Sequence, residues 1–120
     1  MRTRQALMNE FGAAMQFFDG FGENWYALNE CLCYMDEWLP GDGYILVVTG
    51  AKYLLIDEDR RELDQLIQTL EIVGEEWRKP ITDNERFNRG SIPFHVILQC
   101  AQDEIEGLQR RFGGLPILDR

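Results

Sequence analysis

Two short apolar runs constrain this chain more than any other feature. Tyr44-Ile45-Leu46-Val47-Val48-Thr49 is β-branched and aromatic and is bounded by Gly43 and Gly50; Phe94-His95-Val96-Ile97-Leu98 is its later counterpart. Continuous apolar runs of this length read as strands buried on both faces. Between them, Asp59 to Trp77 carries Leu63, Leu66, Ile67, Leu70, Val73 and Trp77 at helical spacing, and Pro80 stops the pattern. Strand, long helix, strand implies a parallel pair joined by a right-handed crossover. The expected fold class is therefore α/β: a small parallel sheet of two to three strands packed against several helices, as a single domain over residues 1–120. Two strands alone are marginal. The best candidate for a third is Leu115-Pro116-Ile117-Leu118, which is short and carries a proline.

The remaining segments read as helices and turns. Leu7, Phe11, Ala14, Met15 and Phe18 recur at helical spacing behind Thr3, a suitable N-cap, which predicts a helix over 3–17. Asp19-Gly20-Phe21-Gly22 breaks the pattern. A second helix is expected from Asn24 to Glu37, capped by Asn24 and ended by Pro40-Gly41-Asp42-Gly43. Lys52 to Ile56 suits a helical turn, residues 81–92 a polar surface loop, and Gln102 to Phe112 a last helix stopped by Gly113-Gly114.

Composition narrows the partners. With 21 acidic against 12 basic residues the formal charge is −9, which disfavours direct binding to nucleic acid or an anionic membrane. It suits a basic protein partner, although acidity also serves solubility alone. The apolar runs are far shorter than a membrane span, and the N-terminus lacks the apolar stretch of a signal peptide. Three cysteines, Cys31, Cys33 and Cys100, form no dense framework and suggest reduced thiols in the cytoplasm.

The second helix carries the functional information. Trp25, Leu28, Leu32 and Met35 fall on one side; Tyr26, Asn29, Glu30, Cys33 and Glu37 fall on the other. A solvated face needs no purpose beyond solubility, but tyrosine and asparagine beside a carboxylate are closer to an interface than to a lysine–glutamate surface. The segment Phe21-Gly22-Glu23-Asn24-Trp25-Tyr26-Ala27-Leu28-Asn29-Glu30-Cys31-Leu32 resembles the binding helix of the barstar family, in which an aromatic, Gly, Asn, Ala-Leu, an acid and Cys-Leu recur at these offsets. The order of elements from about residue 3 to 99 is similar too.

The resemblance implies a small acidic inhibitor or immunity protein, without cofactor or catalysis. Such a protein blocks a basic bacterial ribonuclease, a toxin for instance, by inserting this helix and the preceding loop into its active site. A carboxylate there takes the place of the substrate phosphate. By position that acid is Glu30, with Phe21, Gly22, Asn24, Tyr26, Asn29 and Cys33 around it, and a family acid late on the long helix corresponds to Glu75 or Glu76. Asn24 has an equal claim as a helix cap. The departures are specific: Tyr26 stands where the family commonly has a second acid, Asn29 where it often has tryptophan. A barstar-like scaffold turned to another protein, or to itself, is the alternative; a monomer is expected. The family's first strand has no counterpart, so either the true start lies upstream or this member uses a smaller sheet.

Other chemistry finds little support. Cys31 and Cys33 lie about 200° apart around a helix, so they cannot easily chelate, and Cys31 reads as core. His95 reads as a buried core histidine rather than a base. Asp57-Glu58-Asp59 lacks the ligand pattern of a calcium loop and suits a helix N-terminus.

Overall fold

The computed structural model describes residues 1–82 and 89–118. The order is α1 (Arg4–Ala14), α2 (Trp25–Cys33), β1 (Tyr44–Val48), α3 (Arg60–Arg78), β2 (Phe94–Leu98) and α4 (Ile105–Phe112), with 3₁₀ turns at Met35–Glu37, Ala51–Tyr53 and Gln102–Glu104. The expected α/β class holds.

Helices α1, α2 and α3 each begin at a side-chain cap. The Thr3 hydroxyl accepts from the Ala6 amide at 3.1 Å, and the Asp59 carboxylate accepts from the Arg61 amide at 3.0 Å. The acidic run 57–59 thus ends in the cap of α3. That helix turns Leu63, Leu66, Thr69, Val73 and Trp77 inward, each large apolar side chain contributing about 1.5–3 kcal/mol by leaving water. They meet Leu7, Met8 and Phe11 of α1, Leu28 and Leu32 of α2, and Met35 beyond it. Leu46, Val48 and Leu108 close the same core. At the end of α4, Gly113 takes φ +79°, a left-handed stop that favours glycine.

β1 and β2 pair in parallel, Tyr44 opposite Phe94 through Val48 opposite Leu98. The Tyr44 amide donates to Pro93 (2.8 Å) and the Gln99 amide to Val48 (2.8 Å) at the two ends of the ladder. Three expectations fail here. The strands are not buried on both faces: Ile45 is 64% and Val47 55% exposed. His95, opposite Ile45, is also exposed rather than core. The helices cover one face only, so side-chain alternation sends every second residue to solvent. Leu115–Leu118 does not join the sheet, which has two strands among the described residues; Pro116 offers no amide hydrogen, and a side-chain bond from Gln109 to the Leu115 carbonyl (3.0 Å) holds the segment near α4. Of the loop expected over 81–92, residues 83–88 lie outside the described residues; Ile81 and Arg89 flank them as an antiparallel bridge.

Among the described residues, no helix is long and apolar enough to cross a membrane, and no group of three metal-binding side chains gathers.

Candidate partner-binding face

The loop before α2 is built from inside. Phe21 packs edge-to-face on Phe17 (centroids 4.9 Å), and Phe17 does the same on Trp38 (6.1 Å), whose indole donates to the Met15 carbonyl at 2.8 Å. Phe21 is thus a half-buried anchor of the loop. Gly22 leaves room for the cap: a Cβ there would sit 3.3 Å from the Asn24 amide nitrogen and 3.4 Å from Ala27 Cβ. Glu23 holds φ +51°, uncommon for a residue with a side chain, and its carboxylate accepts from Gln5 of α1 at 2.8 Å. Asn24 uses both ends of its amide locally, accepting from Ala27 (2.8 Å) and donating to the Gly22 carbonyl (3.2 Å). Asn24 is therefore first of all the cap of its own helix.

From that start α2 presents two sides. Trp25 turns inward and its indole donates to Glu62 of α3 at 2.9 Å. Tyr26 is 75% exposed, and Glu30, one turn on, is exposed beside it. Asn29 and Cys33 are half-buried rather than fully outward, and the Cys33 thiol lies 3.9 Å from the Asn29 side-chain oxygen. Burial pushes the Cys33 thiol up to about 11, helped by the charges of Glu76 and Glu30 and opposed by Arg89. Glu30 on α2 and Glu76 on α3 are both exposed, on two helices that pack together. Glu75 and Glu76 are both exposed and each pairs along α3, Glu75 with Arg78 at 3.0 Å and Glu76 with Lys79 at 3.6 Å. Cys31 is buried among core residues, as expected, its thiol raised chiefly by burial.

The second helix is shorter than the pattern suggested. It ends at Cys33, and Glu37 rides on the 3₁₀ turn instead of extending the helical stripe. Tyr34, at the junction, is exposed and was not singled out by the sequence. The buried pair of Asp36 and Arg89 was also missed, because an acid in an acidic run and an arginine in a polar loop give no signal alone.

Fold and sequence together define an acidic α/β protein with an exposed helix face bearing Tyr26 and Glu30. The chain belongs to the barstar family: the family model Barstar (barnase inhibitor) matches residues 1–99. The description is that of a ribonuclease inhibitor, a protein that acts by binding its target. Neither the curated proteins nor the solved structures gave a match.

Proposed function

We propose that this chain is an immunity-type inhibitor that occupies the active site of a basic bacterial ribonuclease in the cytoplasm, as a monomer, through α2 and the loop before it. The observation that carries the reading is an exposed Glu30 one turn after an exposed Tyr26 on α2, with Glu76 exposed on the neighbouring α3, in a chain of charge −9. Two carboxylates on rigid helices can meet the cationic groups that a ribonuclease uses for phosphate, with no cost for ordering a loop. Glu30 is the central contact and Tyr26 its aromatic neighbour, a residue type common among binding hot spots. Asn29, Cys33 and Glu76 form the side toward α3; Phe21, Gly22 and Asn24 set the loop and cap that aim it.

Tyr26 also favours a second reading. A large exposed aromatic where the family commonly has an acid suits a target other than a barnase-type enzyme, including a non-nuclease protein or a second copy. The separating experiment is capture of partners from the source cells on immobilised protein, with ribonuclease assay of the eluate. An inhibited ribonuclease is the expected product, and Glu30→Ala should weaken its binding by about a hundredfold or more, the scale of a hot-spot loss. Tight ribonuclease binding that neither Glu30→Ala nor Tyr26→Ala changes would remove this face from the proposal; a self-associated protein without nuclease would favour the alternative.

A further inference from the structure

We propose that Arg89 is the positioning residue of this face, a clamp that fixes the turn after α2 against the end of α3. Its guanidinium lies 3.1 Å from Asp36, with the two side chains only 9% and 12% exposed, and stacks 3.9 Å from the centre of the Trp77 ring. The surroundings make that a junction of elements. Trp77 is fully buried on α3, and its indole donates to the Leu32 carbonyl of α2 at 3.0 Å. The Ile92 amide donates to the Trp77 carbonyl at 2.8 Å. Arg89 exchanges two main-chain bonds with Ile81, at 2.8 and 3.0 Å. The arginine is thus held by its backbone just beyond α3 and reaches with its side chain to Asp36, three residues past Cys33.

The pair is poorly explained by stability. Among the described residues, Asp36 Oδ1 and Arg89 Nε are buried with no hydrogen-bond partner. A buried ion pair with unmet polar atoms contributes little, since desolvation offsets the attraction. What it does supply is geometry: a planar guanidinium stacked on an indole and aimed at one carboxylate admits a narrow range of positions. The element so fixed is the one that follows Glu30 and Cys33, and the element it is fixed to carries Glu76. Arg89 also brings a positive charge near the acidic side chains here, where it opposes the rise of the Cys33 thiol.

That Arg89 clamps the turn is independent of the partner; that the clamp serves binding rests on the ribonuclease-inhibitor reading. The test uses Arg89→Lys, which keeps the charge but not the stacked plane, and the double replacement Asp36→Leu/Arg89→Met, which removes the ions together. The double variant is expected to melt near the wild type, because replacing both partners of a buried pair is often neutral. Despite that, amides of residues 33–38 should exchange at least about tenfold faster relative to those of α1 in both variants. Where the wild type binds barnase, used as the probe, both variants should also dissociate from it about tenfold faster or more. Unchanged exchange at residues 33–38 in the folded variants overturns the proposal. Should one variant fail to fold, the other decides. Failure of the wild type to bind barnase counts against barnase as a target and leaves the exchange result to decide the role of Arg89.

Discussion

At Cys33, burial and the charges of Glu76 and Glu30 act in the same direction, so the thiol reports the field of the proposed face without any partner present. Its pKa, about 11 against an ordinary 9.0, lies above that of the unfolded chain. Below pH 9 both states keep the proton and stability is unaffected. Between pH 9 and 11 the unfolded chain loses its proton first, so stability falls as pH rises through that window. Melting curves from pH 8 to 11 should show a decline that Cys33→Ala lessens; identical slopes would mean that the thiol is not held in this field. Alkylation gives the kinetic counterpart. At pH 8 Cys33 should hold roughly a hundredfold less thiolate than an ordinary thiol, and Glu76→Gln should speed its modification. Asn24 shows why a residue in a matching motif need not be a contact. Its amide is committed to the helix cap, so loss of binding on substitution would partly reflect the roughly 1 kcal/mol that such a cap contributes.

At the scale of elements, what the sequence disclosed followed periodicity, and what it hid depended on neighbours. Leu63, Leu66, Val73 and Trp77 outline α3 because a helix must pack one stripe, and the Asp59 cap and Pro80 mark its limits. The Phe21–Leu32 motif was legible for the same local reasons: a glycine beside a cap, then Ala-Leu and Cys-Leu at helical offsets. The strands were legible as strands but not as a one-faced sheet. Ile45 and Val47 are as apolar as Leu46 and Val48, and no local pattern reveals whether a second layer of helices covers them. The switch to 3₁₀ geometry after Cys33 was likewise hidden; it coincides with the contact of Asp36 with Arg89, 53 residues on, which no local pattern discloses. The sheet makes this testable. Val47→Thr should change stability by less than about 1 kcal/mol, as for an exposed position. Leu46→Ala, which opens a cavity in the core, should cost about 2–5 kcal/mol. Chemical denaturation of the two variants decides it, and similar losses at both positions would mean that the outer face is covered in solution.

Over the whole molecule the governing quantity is charge. Its ion pairs are mostly exposed, like Arg2 with Asp57 at 3.0 Å and Arg60 with Asp64 at 2.9 Å, and pairs of that kind add little stability each. On the proposed reading the surplus of acid serves encounter more than the fold. A field of charge −9 acts over roughly 10 Å at 0.1 M salt, so it would guide a basic partner before contact, whereas Glu30 and Tyr26 would act only once the surfaces had met. The two roles separate kinetically. For a basic ribonuclease that the chain inhibits, raising salt from about 0.05 to 0.5 M should slow association by about tenfold or more and alter dissociation far less. Glu30→Gln should do the reverse, speeding dissociation strongly while association falls only modestly, because it removes one charge of the excess but the central contact. Stopped-flow association and displacement measurements on the two proteins at both salts separate the cases. If Glu30→Gln altered only the association rate, the carboxylate would belong to the steering field and not to the contact, and the centre of the interface would have to lie nearer Tyr26 and Tyr34.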